Sequence, residues 1–184
     1  LFSEPADSIR MFTYGKETPT TVPSKMHSDK DLKYHFKFPA SDKPLLVKVA
    51  LSPVDTDGAV KNMESELPEW NFDATVAQSE QVWNEALNRV SMTSSDPVVM
   101  KNFYTALYHS MIAPFAYQDV DGRYLGMDKQ VHTAEAGYTN YTVFSLWDTF
   151  RALHPLMTII DPALAADWGK VMVHGYKEGG ILPK

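Results

Sequence analysis

The segment DPVVMKNFYTALYHSMIAPF (residues 96–115) decides the fold class, because it marks where the chain becomes predominantly helical. Asp96 stands at the N-cap position, and Pro97 occupies the first helical position, where its missing N–H is not needed. The apolar residues that follow recur at helical spacing and form one broad face: Val99, Phe103, Ala106, Leu107 and Met111. The segment therefore predicts a core helix.

Two helices are predicted before this segment. In TDGAVKNMESELPEW (56–70), apolar residues recur at helical spacing until Pro68 ends the helix. In FDATVAQSEQVWNEALNRV (72–90), Asp73 is placed as the N-cap of a longer helix with an apolar stripe: Val76, Val82, Trp83, Ala86, Leu87 and Val90. Residues 55–95 are therefore interpreted as a helical linker.

Strand patterns precede the linker. SIRMFTYGK (8–16), LKYHFKF (32–38) and LLVKVALS (45–52) are short, rich in Val, Tyr and Phe, and separated by Pro, Ser and Asp. The last of them alternates, with Val47, Val49 and Leu51 on one face, as in a half-buried antiparallel strand. Residues 1–54 are therefore predicted to be the end of a β-sandwich domain.

The segment after the core helix is long and rich in turn residues. AYQDVDGRYLGMDKQVHTAEAGYTNYTVF (116–144) carries Asp-Gly and two further glycines, which predicts hairpins and irregular loop. A helix is then expected from Leu146 to Ile160. Another begins with Asp161 as N-cap and Pro162 at its first position, and ends at Gly179-Gly180. The fold class is α+β, and residues 96–184 are the opening helices of an α domain.

Composition excludes several functional classes. The 184 residues carry a net charge of −6 and no basic stretch, which argues against nucleic-acid or anionic-membrane partners. No run of about 18 apolar residues exists, so no membrane span is predicted. The absence of cysteine excludes disulfides and thiolate nucleophiles. Both ends are abrupt, and the chain is interpreted as an internal piece of a longer protein, whose remaining polypeptide is then its partner.

Metal sites have weak signals. The stretch DVDGRYLGMD places Asp119, Asp121 and Asp128 close together and begins like a calcium loop, but its twelfth residue is Gln130 instead of Glu. An ordinary Asp-Gly turn is the preferred interpretation. Zinc is not expected, because the histidines show no ligand spacing. These histidines are His27, His35, His109, His132, His154 and His174.

The strongest candidate site is LWDTFR (146–151). Asp148 and Arg151 are three residues apart and would share one helix face, with Trp147 beside them. An indole that packs on a sugar, with Asp and Arg hydrogen-bonding its hydroxyls, is one interpretation. An Asp–Arg ion pair on a helix with a core Trp is the other. His154 is likewise either a substrate contact or a satisfied structural residue.

A family resemblance adds to this pattern. FSLWDTFRALHPL (144–156), preceded by FYTALYHSMIAP (103–114) and DVDGRYLGMD, resembles the α-mannosidases of glycoside hydrolase family 92. The resemblance implies an N-terminal β-sandwich, a helical linker and a C-terminal (α/α)6 barrel, which would begin in residues 96–184. It also implies a calcium-dependent, inverting exo-hydrolysis of terminal α-mannosides, so that the partner is a mannose-containing glycan.

The resemblance also implies roles for single residues. Trp147, Asp148 and Arg151 match the family's motif for gripping the terminal mannose. The general acid, the general base and the main calcium ligands of the family lie beyond Lys184. We therefore expect no catalytic residue or metal ligand in this chain, and no activity from the piece alone. The implied location is periplasmic, or extracellular at the cell surface. The alternatives are a non-catalytic sugar-binding or structural module, and a different (α/α)6-barrel glycosidase.

Overall fold

A computed structural model of the chain describes residues 1–18 and 31–182. It confirms the α+β class, with helices and several small sheets. The chain divides into two compact units, residues 1–49 and residues 50–184, which are described separately. His27 lies outside the described residues.

The first unit contains a three-stranded antiparallel sheet. Its strands are β1 (Ser8–Thr13), β2 (Lys16–Thr18) and β3 (Leu32–Lys37), in the order β2-β1-β3. Tyr14 and Gly15 join β1 to β2 with positive φ angles of 50° and 74°, which suits the twist of a two-residue hairpin. Met11, in the middle of the central strand, is buried.

The predicted strand at 45–52 is wrong. A single isolated bridge joins Phe2 to Val47, and Val49 and Leu51 are 76% and 84% exposed. Backbone hydrogen bonds flank the bridge, for example from the Lys48 N–H to the Leu1 carbonyl at 2.9 Å. Alternation indicates which face of a strand would be buried, but a ladder also needs a neighbouring strand of matching length.

The described part of the second unit contains six helices, most of which begin at a side-chain cap. They are α1 (Thr56–Glu66), α2 (Phe72–Leu87), α3 (Pro97–Ser110), α4 (Leu146–Thr149), α5 (Leu153–Ile160) and α6 (Pro162–Gly179). The predicted starts of α3 and α6 are confirmed, because Asp96 accepts a hydrogen bond from the Val98 N–H and Asp161 accepts one from the Leu164 N–H. Asp161 also receives an ion pair from Arg89, which follows α2.

The cap predicted for α2 is off by two residues. Asn71, not Asp73, is the N-cap, and its side-chain oxygen accepts a hydrogen bond from the Ala74 N–H at 3.0 Å. Asp73 instead lies in the first helical turn, where a negative charge favours the helix dipole. Asn and Asp are both favoured at the N-cap, so the sequence alone does not show whether Asn71 or Asp73 is the cap.

The helix predicted over 146–160 is two helices, α4 and α5, separated by Phe150, Arg151 and Ala152. Pro155 explains the break. Its ring lacks an N–H and would clash with the carbonyl four residues earlier, that of Arg151, if the helix were continuous. Pro155 lies instead in the first turn of α5, where that hydrogen bond is not required.

Two small antiparallel ladders lie between α3 and α4, where hairpins were expected. Strand β4 (Phe115–Ala116) pairs with β7 (Tyr141–Thr142), and β5 (Arg123–Leu125) pairs with β6 (Val131–Thr133). The Asp-Gly sequence before β5 forms the expected turn, because Gly122 has a φ of 83° and its N–H donates to the Asp119 carbonyl at 2.8 Å.

Asp119 is the most deeply buried polar residue of this unit, with 0% exposure. Its carboxylate accepts hydrogen bonds from the Ser52 hydroxyl and the Asn62 amide, both at 2.8 Å. Asn62, on α1, also accepts a hydrogen bond from the Val120 N–H at 2.8 Å. A buried charge is tolerated when such donors surround it, so this cluster joins α1 to the start of the β5–β6 hairpin.

Three ion pairs surround this buried cluster. Arg123 lies 2.9 Å from Asp55 and 3.1 Å from Asp121, and Lys61 lies 2.8 Å from Asp121. The hydrogen bond from Lys61, and then those from Arg123, lower the pKa of Asp121 from 3.8 to about 2. The Arg123 side chain also lowers the pKa of Asp55. Both carboxylates therefore favour the folded state when they are ionised.

We expect Gly58→Ala to destabilise the protein. A Cβ at Gly58 would collide with the Asp119 carboxylate and lie 2.7 Å from the Ser52 hydroxyl. The expected loss in the free energy of unfolding is about 3 kcal/mol, at the upper end for overpacking. The matched control is Gly169→Ala on α6, where a Cβ meets nothing within 4 Å. This change should stabilise by about 0.5–1 kcal/mol. Chemical denaturation measures both, and equal effects of the two changes would contradict the packing described.

The ion pairs predict a loss of stability in acid. Because the pKa of Asp121 falls from 3.8 to about 2 on folding, its contribution is complete above about pH 4 and disappears as pH falls towards 2. The Asp121→Asn variant should therefore show a shallower decline in unfolding free energy over this range. Asp42→Asn, at an exposed position with no ion pair in the described part of the chain, is the control. Identical pH profiles for Asp121→Asn and the unmodified protein would disprove the assignment.

Candidate functional site

The predicted site residues lie together on a surface turn. Residues 145–151, called the corner below, follow β7 and comprise Ser145, the four residues of α4 and the start of the break before α5. Trp147 is 81% exposed, and Asp148 and Arg151 are also exposed. An exposed indole beside an exposed carboxylate and guanidinium is an arrangement that can bind a polyhydroxylated ring.

The internal contacts of the corner differ from the predicted ion pair. The Ser145 hydroxyl donates to Oδ2 of Asp148 at 2.5 Å, so serine is the partner of this carboxylate. The Arg151 guanidinium lies over the Phe150 ring, 5.5 Å from its centroid. Because α4 ends at Thr149, Asp148 and Arg151 do not share a helix face. Within the described residues, Asp148 and Arg151 form no ion pair with each other, and Trp147 is not in a core.

His154, in the first turn of α5, follows the corner in sequence. Its ring centroid is 5.1 Å from that of Trp168 on α6 and 6.4 Å from that of Phe144. Both ring nitrogens are buried and have no hydrogen-bond partner among residues 1–18 and 31–182. Its ring contacts are therefore those of a packed structural histidine, but the described chain leaves its polar atoms unsatisfied.

A cavity of about 330 Å³ is lined in part by residues that directly precede the corner in sequence. It lies between β5, the segment 140–144 and α6, and it is called the α6 cavity below. Phe144, which lines it, directly precedes Ser145. The polar and aromatic side chains of its wall include Tyr117, Tyr124, Asn140, Phe144, His174 and Glu178. Sites for small molecules commonly combine apolar walls with a few such polar groups.

Glu178 ties the hairpin wall of this cavity to α6. Its carboxylate accepts a hydrogen bond from the Tyr124 hydroxyl at 2.6 Å and another from the Met127 N–H at 3.2 Å. Burial, and then the hydrogen bond to Glu178, raise the pKa of Tyr124. Burial also raises the pKa of Tyr141. Both hydroxyls therefore remain protonated at neutral pH, and the Tyr124 hydroxyl acts as a fixed donor.

Sequence reasoning did not single out the cavity residues. His174 and Glu178 are four residues apart, a spacing that places both on one face of α6, and this signal could have found them. Tyr124 and Asn140 carry no comparable signal, because they reach the same cavity from separate strands and loops.

The acidic residues considered as calcium ligands already have protein partners. Asp119 is bonded to Ser52 and Asn62, Asp121 to Lys61 and Arg123, and Asp128 to His132 at 3.0 Å. The Gln130 N–H, and then His132, lower the pKa of Asp128. Across residues 1–18 and 31–182, no three His, Asp or Glu side chains are grouped so that they could hold a metal ion.

In the same ranges, every helix falls short of the combined length and apolar character that crossing a bilayer requires.

Comparisons with known proteins agree on one family. The Glycosyl hydrolase family 92 catalytic domain matches residues 58–184. An uncharacterized secreted glycosidase from Arthroderma benhamiae is 35% identical over 74 residues, which are 38% of this chain and 10% of the relative. The match therefore covers about a tenth of that relative's length.

Solved structures give a similar result. The family GH92 α-mannosidase BT3965 from Bacteroides thetaiotaomicron is 33% identical, with a TM-score of 0.85 over 100% of this chain and 25% of its own. A second structure of that enzyme, in complex with mannoimidazole, gives the same values. A family GH92 inverting mannosidase of the same organism, with a TM-score of 0.82 over 99% of this chain and 25% of its own, is 23% identical and supports the fold alone. This chain spans a quarter of these solved structures.

Proposed function

Because the chain belongs to glycosyl hydrolase family 92, we propose that the whole protein is an exo-acting α-mannosidase that removes terminal α-mannosides from glycans. A glycosidase is supported by the family match itself. The choice of mannose is supported by the 33% identity to an α-mannosidase over the full length of this chain. A mannose-containing glycan is the proposed substrate.

The proposed domain organisation follows the sequence interpretation. Residues 1–54 form the end of a β-sandwich, residues 55–95 the linker, and residues 96–184 the first helices of an (α/α)6 barrel. The order in the structure, a sheet followed by α1 and α2 and then by α3 to α6, is compatible with this organisation.

The proposed reaction is an inverting hydrolysis, which needs a general acid and a general base on opposite sides of the glycosidic bond. Calcium is the proposed cofactor, although the described residues do not offer a set of calcium ligands. We assign the acid, the base and the calcium ligands to the rest of the polypeptide. The match covers 25% of the solved relative, so most of that relative's length lies outside the matched part and leaves room for them.

The proposed role of the corner is to bind the terminal mannose. The exposed Trp147 indole offers a flat surface for the apolar C–H face of the ring. Ser145 holds one oxygen of Asp148, and the other oxygen receives no hydrogen bond within the described residues and can accept one from a sugar hydroxyl. Arg151, placed over Phe150, supplies donors. The joint exposure of these three side chains is the observation that carries the assignment.

The location that we propose is periplasmic, or extracellular at the cell surface. The description of the fungal relative as a secreted glycosidase supports an enzyme that acts outside the cytoplasm.

Asp148→Ala should lower kcat/KM of the whole protein for an α-mannoside by at least about tenfold. The reason is the loss of a charge-assisted hydrogen bond to a sugar hydroxyl, of about 1.5–3 kcal/mol. The melting temperature should change little, because Asp148 is exposed. Asp73→Ala is the matched control, since Asp73 is also an exposed acidic residue in the first turn of a helix. A large drop in melting temperature with kcat/KM per folded molecule unchanged would make Asp148 structural.

The isolated 184-residue piece should not hydrolyse 4-nitrophenyl α-mannoside, because we assign the opposed pair of carboxyl groups to the rest of the polypeptide. The whole protein is the positive control, and its turnover should fall on chelation and return with Ca²⁺. Turnover by the homogeneous piece, retained in the presence of chelator, would contradict the placement of the acid, the base and the calcium ligands. Absence of turnover by the whole protein would instead favour a non-catalytic sugar-binding module.

A further inference from the structure

The corner has little packing of its own to fix its position. Its helix, α4, has four residues, none of them fully buried, and within the described residues no side chain caps its start. So short a helix is not stable by itself, because most helical stability in proteins comes from tertiary packing. The hydrogen bond between Ser145 and Asp148 lies inside the corner and cannot orient it. Residues outside the corner must therefore set the direction of its exposed side chains.

Three aromatic rings flank the corner in sequence and contact one another in space. Phe144 directly precedes Ser145, and His154 follows Arg151 by three residues. The Phe144 centroid lies 6.4 Å from that of His154 and 6.2 Å from that of Trp168. The His154 and Trp168 centroids are 5.1 Å apart. All three separations lie in the range of favourable aromatic pairs. Phe144, His154 and Trp168 are called the ring cluster below.

Trp168 gives the ring cluster a fixed base. It is 2% exposed and belongs to α6, whose start is capped by Asp161. The residue before the corner and a residue soon after it are thereby packed on the same buried indole. A segment held at both ends loses most of the conformations that a free loop of the same length would sample.

The polar atoms of the ring cluster show what kind of contact His154 makes. Both its ring nitrogens and Nε1 of Trp168 are buried without a hydrogen-bond partner among residues 1–18 and 31–182. A buried polar atom without a partner costs free energy, so hydrogen bonding is not what His154 contributes to this contact. Its contribution is the packing surface of a flat ring. A phenyl ring offers a similar surface without the unpaired nitrogens.

We propose that the ring cluster positions the corner for binding of the terminal mannose. The inference rests on the proposed function of the corner and deepens it. Phe144 and His154 hold the two ends of the corner on Trp168, so that its exposed side chains keep the direction in which they bind the sugar. Hydrogen bonds to hydroxyl groups depend on direction, and small misplacements of a binding group are costly to the reaction rate. His154 is thus a positioning residue that acts through the corner.

The test replaces His154 in the whole protein in two ways. His154→Ala removes a ring and should lower kcat/KM for 4-nitrophenyl α-mannoside, per folded molecule, at least about fivefold. His154→Phe restores a ring and should keep kcat/KM within about twofold of the unmodified protein, with a melting temperature at least as high. His109→Ala, at an exposed position of α3, is the control and should leave kcat/KM unchanged. Equal losses in the two His154 variants would mean that the nitrogens act directly, and would overturn the inference.

A double-mutant cycle separates positioning from a general loss of structure. His154→Ala combined with Asp148→Ala should lower kcat/KM by less than the product of the two single effects, because the bond made by Asp148 can be lost only once. Phe144→Ala, at a half-buried position, enters the same cycle if His154→Ala fails to fold.

Two kinds of result contradict the inference. Multiplicative effects in the cycle, or a lower melting temperature with kcat/KM per folded molecule unchanged, would make the ring cluster purely structural while the α-mannosidase proposal stands. If Asp148→Ala alone leaves kcat/KM unchanged, or if the unmodified protein shows no turnover, the proposed function itself fails, and the inference fails with it.

Discussion

The buried carboxylate of Asp119 is the interaction on which the helical unit depends. Its donors, Ser52 and Asn62, come from the segment before α1 and from α1 itself, far from Asp119 in sequence. Neighbouring residues of β5 point to opposite sides, so Arg123 joins the charged cluster while Tyr124 reaches the Glu178 side chain. One short strand thereby connects α1 to α6. The contacts of Asp119 with Ser52 and Asn62 fix the β5–β6 hairpin on α1, and the opposite side of that hairpin forms a wall of the α6 cavity through Tyr124.

Local signals predicted the parts of the fold that local interactions determine. Asp96-Pro97 and Asp161-Pro162 each specify a helix start, and both starts are confirmed because a cap needs only its own first turn. The 45–52 segment failed as a strand because pairing depends on a distant partner, which its alternation does not contain. The continuous helix predicted over 146–160 is wrong because the Pro155 ring excludes a helical carbonyl four residues upstream, at Arg151.

The candidate site shows the same division. The sequence motif predicted Trp147, Asp148 and Arg151 as site residues, and the structure places them in one exposed turn. Their geometry was not predictable from helical spacing, because the helix ends between Asp148 and Arg151 and Ser145 becomes the partner of Asp148. The α6 cavity is formed by β5, the 140–144 segment and α6, which are distant in sequence. Of its lining residues, His174 and Glu178 have a spacing from which a shared helix face could be predicted.

The break before α5 has an evolutionary consequence. Phe150, Arg151 and Ala152 separate a four-residue helix that carries the exposed side chains from α5, whose Met157 is 1% exposed. Substitutions or small insertions in the turn can therefore change the direction of Trp147 and Asp148 without a register shift in the packed helices. Such a joint lets a lineage change the side chains that the corner presents while it inherits the same helical scaffold, and Pro155 is the residue that maintains this separation.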